Sequence, residues 1–141
     1  MYKRQEAPDP AWWAAQGYAV VNCDLRGAGT SEGSAGLLSD QEGEDVYDLV
    51  EWAAAQPWST GAVGMMGVSY LAMSQWKAAA LQPPGLKAIC PWEGFTDAYR
   101  DLMRPGGIRE NGFVTLWGPE PAAGAAALQA GAAGAPAPAP R

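Results

Sequence analysis

A chain of 141 residues has room for one domain with a modest core. Its net charge of −6, with no basic run, argues against attraction to nucleic acid or to anionic membrane surfaces. The longest apolar runs, such as "YAVV" and "VGMMGV", fall far short of the roughly 20 residues of a membrane span, and "MYKRQEAPDP" lacks the apolar core of a signal peptide.

The first element in chain order is "DPAWWAAQ", residues 9–16. It opens with a capping aspartate and a proline, continues in helix formers and meets Gly17, which predicts a short helix. Next, "YAVVNCD", residues 18–24, is rich in β-branched and aromatic residues and too apolar to alternate. It predicts a strand covered on both faces. Cys23 and Cys90 each lie in such a run without metal or redox spacing, so both are expected to be buried free thiols in a reducing compartment, the cytoplasm.

After a glycine-rich loop, residues 39–56 carry the clearest helix pattern. Ser39 and Glu42 match a capping box, and acidic residues crowd the first turns, where the helix dipole favours them. Val46, Leu49, Val50, Ala53 and Ala54 recur on one apolar face. Glu42, Glu44, Asp45, Asp48 and Glu51 are read as a solvated face rather than a metal site. Pro57 and Gly61 break the helix. Residues 62–67, "AVGMMG", then predict a buried strand, residues 70–81 a helix that stops before "PP", and residues 86–91, "LKAICP", a further strand. This order predicts an α/β fold with a parallel sheet, in which ligands bind at the carboxyl ends of the strands.

From about Pro119 the chain is almost entirely Ala, Gly and Pro, ending "AAGAPAPAPR". Such a stretch buries too little to offset an ordering entropy of roughly 1–2 kcal/mol per residue. The expected organisation is a folded domain over residues 1–118 and a disordered tail over residues 119–141.

The chemistry centres on "GMMGVSYLAMSQW", residues 64–76. Ser69 falls on the turn between the second predicted strand and the helix that follows it. A serine there sits on a sharp, strained bend, with its hydroxyl projecting from the sheet and the next backbone N–H facing a developing oxyanion. Gly67 supplies the small residue two places before it, while Leu71 stands where G-x-S-x-G requires a second glycine. By itself this half-match leaves a serine that merely caps a helix as an equal alternative. The loop "GAGTSEG" comes within one residue of the dinucleotide pattern G-x-G-x-x-G, but the capping signal appears only at Ser39, well after the glycines.

Three stretches, "VNCDLRGAGTSEG", "EWAAAQPWSTGAVGMMGVSYLAMSQW" and "LKAICPWEGFTDAYRD", together resemble the cocaine esterase / Xaa-Pro dipeptidyl-peptidase family of α/β-hydrolases. The resemblance implies an incomplete α/β-hydrolase fold with flanking helices and a serine hydrolase chemistry that requires no cofactor. It makes Ser69 the acyl-forming nucleophile and the Tyr70 N–H one oxyanion donor. It also makes Tyr2, in "MYKR", a candidate for the second donor, through its hydroxyl. Ala72 replaces a family glycine. Asp24, Arg26, Gly27 and Gly29 take structural roles in the loop. Trp58, Trp76, Trp92 and Tyr99 match the family pattern mostly as packing residues, with Trp92 and Phe95 placed to line an acyl pocket. The implied substrate is a small ester, an amide or a proline-containing peptide, with no metal, nucleic acid or membrane partner.

One component is missing. A serine hydroxyl needs an adjacent base near neutral pH, and the chain contains no histidine. The family takes its histidine and aspartate from well downstream of the nucleophile. Asp97 and Asp101 come too soon to match, and neither Lys77 nor Lys87 is expected to reach Ser69. The resemblance also places a family strand, upstream of this sequence, between residues 18–23 and 62–67, so those two segments are expected either not to be direct neighbours or to be joined by a non-family rearrangement. A chain lacking the base and acid is expected to be a partial hydrolase with little turnover of its own. The alternative is an inactive truncated remnant or an interaction domain on a hydrolase scaffold.

Overall fold

The computed structural model describes residues 7–36 and 38–113. Helix α1 (Pro10–Ala15) starts where Asp9 accepts the Ala11 N–H at 2.9 Å, and Gly17 leaves it at φ 88°. Helix α2 (Asp40–Ala54) is capped by Ser39, whose Oγ accepts the Glu42 N–H at 3.2 Å. Strand β1 (Val63–Val68), helix α3 (Tyr70–Ala80) and strand β2 (Leu86–Trp92) form one βαβ unit. The strands are parallel and paired from Val63 with Leu86 to Val68 with Trp92, with one irregularity between Val63 and Gly64. A π-helical turn (Ala98–Met103) and a 3-10 turn (Pro105–Gly107) follow.

The core lies where α2 and α3 cover the sheet. Val46, Val50 and Ala78 are buried there and pack against Val63, Met65 and Leu86. On α2 the apolar face is as expected at Val46, Val50 and Ala53, while Leu49 and Ala54 are partly covered. Gln75, fully buried on α3, joins the layers: its Oε1 accepts the Cys90 N–H at 3.0 Å and its Nε2 donates to the Leu71 carbonyl at 2.7 Å. Glu51 Oε1 accepts the Gly85 N–H at 2.7 Å and pins the approach to β2 onto α2.

Four expectations are corrected. Residues 18–24 form no strand, and Tyr18, Val20 and Val21 stand exposed. A β-prone segment becomes a strand only where a neighbour pairs its N–H and C=O groups, and among the described residues the sheet has only β1 and β2. Cys23, carried on that segment, is exposed, and Cys90 is partly covered. Trp58, Trp76, Trp92 and Tyr99 are exposed rather than buried in the core, whose buried apolar side chains among the described residues are Val, Ala and Met, and Trp58 meets Trp52 edge-on. The acidic face of α2 is not uniformly solvated: Glu42 is buried, and Glu51 and Asp45 each hold a partner.

The domain boundary at residue 118 and the tail over residues 119–141 lie outside the described residues. No helix among the described residues is long and apolar enough to cross a membrane.

Candidate active site

Ser69 occupies the turn between β1 and α3 at φ 57° and ψ −119°. A non-glycine residue in that region stores about 1–3 kcal/mol of backbone strain, which persists only where its surroundings enforce it. Three contacts do so. The Ser69 N–H donates to the Trp92 carbonyl at 2.9 Å, tying the turn to the end of β2. Its own carbonyl accepts from Ala72 and Met73 at 2.9 and 3.1 Å, starting α3. Gly67 allows the return of the chain, because a Cβ at residue 67 would lie 2.4 Å from the Leu71 Cβ.

Ala72, one place beyond Leu71 and set by the resemblance where the family has a glycine, fits for a related reason. It is fully buried with its methyl against Gly94, where a Cβ would approach to 2.7 Å. The contact between elbow and β2 exit is thus kept by a glycine on the opposite side. Ser69 is the N-cap residue of α3 through its carbonyl, but its side chain makes no cap hydrogen bond. Ser69 is partly exposed at the carboxyl end of β1, and the Tyr70 N–H stands at the first helical position, where a backbone donor has no intrahelical acceptor.

The glycine-rich loop is structural. Arg26 Nε donates to Asp45 Oδ2 at 2.7 Å and Nη2 bonds Oδ1, so the guanidinium grips α2 with two parallel bonds. Asp24 Oδ2 accepts the Thr30 N–H at 3.2 Å, and the Asp24 carbonyl accepts the Ser31 hydroxyl at 2.8 Å. Gly27, at φ 71°, faces the Ala35 nitrogen so closely that a Cβ would stand 2.5 Å from it. These glycines approach their own chain, and α2 begins only at Asp40, which removes the dinucleotide reading.

The Arg26 hydrogen bond holds the Asp45 carboxyl below its ordinary range. A carboxyl with a lowered folded value contributes stability above the unfolded value of about 3.9, and that contribution is lost as pH falls through the folded value. Asp45→Asn is therefore expected to lose stability at pH 6 and to show a shallower decline between pH 6 and pH 3 than the parent. Urea midpoints at the two pH values check this.

Among the described residues, the four ionisable side chains weighed as partners for Ser69 are engaged with other groups. Lys77 Nζ lies 3.8 Å from Asp40 Oδ1, and Lys87 Nζ donates to the Pro84 carbonyl at 2.7 Å. Asp97 caps the π-helical turn through the Tyr99 and Arg100 N–H groups, and Asp101 accepts the Thr96 and Asp97 N–H groups. Among the described residues no group of three or more His, Cys, Asp or Glu side chains is placed to hold a metal. Trp92 stands exposed directly beside the elbow, and Phe95 lies three residues on, partly covered. Tyr2 lies outside the described residues.

One residue of the site was not anticipated. Glu42, read as the third residue of a capping box, does not turn back to the Ser39 N–H. Its Oε2 accepts the Leu38 N–H at 2.6 Å and the Tyr70 hydroxyl at 2.6 Å. The capping-box spacing marks a helix start, and nothing local in it points to a partner 28 residues away.

Comparison with known proteins gives the family and the fold. A family model described as X-Pro dipeptidyl-peptidase (S15 family) matches residues 2–138. The chain is 47% identical over 92 residues to the cocaine esterase of a Rhodococcus species (strain MB1 Bresler), covering 64% of this chain and 16% of that protein. A crystal structure of a CocE/NonD family hydrolase from Staphylococcus aureus superposes with a TM-score of 0.79 at 45% identity, covering 89% of this chain and 22% of that one. The chain thus spans less than a quarter of the length of either relative.

Proposed function

The chain belongs to the X-Pro dipeptidyl-peptidase (S15) family, and from that premise we propose that Ser69 is the nucleophile of a serine hydrolase acting on ester, amide or proline-containing peptide bonds. The observation that carries the proposal is the strained turn: Ser69 at φ 57° between β1 and α3, with its hydroxyl free of any cap bond. In this reading Oγ attacks the substrate carbonyl carbon, and the Tyr70 N–H at the start of α3 meets the oxyanion of the tetrahedral intermediate. Collapse expels the alcohol or amine and leaves an acyl-serine, which water then hydrolyses. In the same reading Trp92, exposed and tied to the elbow through its carbonyl, lines the acyl site.

Deprotonation of Oγ is the step this chain supports least, since it has no histidine. Loss of a triad member lowers turnover by about 10⁶-fold, leaving roughly 10³–10⁴ over water from the oxyanion site and binding. The expected result is slow labelling of Ser69 by a fluorophosphonate, abolished in Ser69→Ala, with p-nitrophenyl acetate turnover far below that of a complete triad. Mass spectrometry of the labelled peptide identifies the residue. The absence of histidine supports a second reading, a hydrolase scaffold without turnover. No adduct at Ser69 after prolonged exposure would favour that reading.

A further inference from the structure

Glu42 is a buried carboxylate that the proposed chemistry does not use. It is 6% exposed, on the first turn of α2, and no lysine or arginine pairs with it among the described residues. Burying a carboxylate is unfavourable unless donors replace its water shell. Here the donors are neutral: the Leu38 N–H and the Tyr70 hydroxyl, both at 2.6 Å on Oε2, with the α2 N-terminus favouring the negative charge. Oε1 is buried without any hydrogen-bond partner. An apolar residue at this position would still leave Ser39 as the helix cap, so capping alone does not account for Glu42.

Its reach does account for it. The Tyr70 hydroxyl donates to Glu42 and accepts the Leu38 N–H at 3.2 Å, closing a three-membered cluster of Leu38, Glu42 and Tyr70. Leu38 itself sits at φ 55°, so the loop before α2 is also held in an uncommon conformation at this point. Tyr70 is the residue after the nucleophile. Its ring is thereby anchored at the far end on α2, while its backbone opens α3 beside Ser69. Burial, reinforced by the Glu42 bond, pushes the Tyr70 hydroxyl well above its ordinary range, so it remains a neutral donor throughout the pH range in which the protein is handled.

We infer that Glu42 is a positioning residue for the acyl-transfer site: by holding the Tyr70 hydroxyl from α2, it fixes the direction of the Tyr70 backbone N–H that receives the oxyanion. The inference rests on Ser69 being the nucleophile. Glu42 touches neither the nucleophile nor the substrate and acts through Tyr70. A rotation of the Tyr70 peptide that leaves the fold intact would lengthen the oxyanion contact, and oxyanion donors lose much of their effect with small misplacement.

The test measures fluorophosphonate labelling of the whole chain, separating the maximal rate from the half-saturating concentration, alongside thermal unfolding midpoints. Glu42→Ala and Tyr70→Phe are each expected to lower the maximal rate by about tenfold, the effect of a displaced rather than deleted donor, with half-saturation unchanged. The double variant is expected to be no slower than Tyr70→Phe alone, because the two changes remove the same contact. Glu42→Gln, which keeps a carbonyl acceptor for the hydroxyl, is expected to recover most of the rate. Labelling that disappears in Ser69→Ala but proceeds at the parent rate in Glu42→Ala and Tyr70→Phe would overturn the positioning role and leave the nucleophile standing. So would independent, multiplying losses in the double variant. If the parent chain itself gives no Ser69 adduct, both the nucleophile and the positioning role fall. Should Glu42→Ala not fold, Tyr70→Phe, which deletes one oxygen and keeps the N–H, decides through its own maximal rate.

Discussion

Gly67→Ala is expected to destabilise the chain by about 3 kcal/mol, the upper end of what overpacking costs. The added methyl would stand 2.4 Å from the Leu71 Cβ and 3.3 Å from the Leu71 backbone. Neither neighbour is the tip of a flexible side chain. Both belong to the first turn of α3, so relief requires moving the helix away from β1 or rotating the turn that holds Ser69. Each route releases the strain at Ser69 by abandoning the geometry that exposes its hydroxyl. Loss of stability and loss of fluorophosphonate labelling are therefore expected together. A shift of the urea midpoint with unchanged slope measures the first. A variant that unfolds at the parent midpoint would show that the strand-to-helix approach is looser than these distances require.

Gln75→Leu is expected to cost about 1–3 kcal/mol, although leucine has nearly the same volume and greater apolarity. The side chain is fully buried, so burial of carbon favours the replacement. The opposing effect is larger. The Cys90 N–H, which Gln75 Oε1 accepts at 3.0 Å, would be left without an acceptor inside the protein, and a buried orphan donor carries the full desolvation penalty. The Leu71 carbonyl would lose the Gln75 Nε2 donor as well. Because Cys90 lies on β2, two residues before the carbonyl of Trp92 that accepts the Ser69 N–H, loosening there is transmitted to the elbow along one strand. Equilibrium unfolding of the variant checks the sign: a gain in stability would mean that the apolar term wins and that the bridge between α3 and β2 is dispensable.

Much of the βαβ unit was legible because its signals are local. The recurrence of Val46, Val50 and Ala53 marks the buried face of α2, and Pro57 and Gly61 mark its end. Gly67 and Ser69 mark the strand-turn-helix bend, since the turn brings helix and strand too close for larger residues, but their spacing alone left a helix-capping serine equally open until the neighbouring motifs were read with it. The exposure of the aromatic side chains was not legible. Trp58 and Trp92 carry the composition of a core, and composition records a preference for burial without saying whether a covering surface exists.

The sequence by itself determined the position of Ser69, the helices on either side of β1 and the parallel α/β class, since each depends on residues a few places apart. Tertiary structure alone decided three matters. Residues 18–24 form no strand, because pairing requires a neighbour that local propensity cannot supply. Ala72 is accepted in the elbow because Gly94, 22 residues later by these numbers, leaves room for its methyl. And Glu42 holds Tyr70 rather than closing its capping box, because burial removes the water that would otherwise satisfy both, and their meeting depends on how α2 packs against α3.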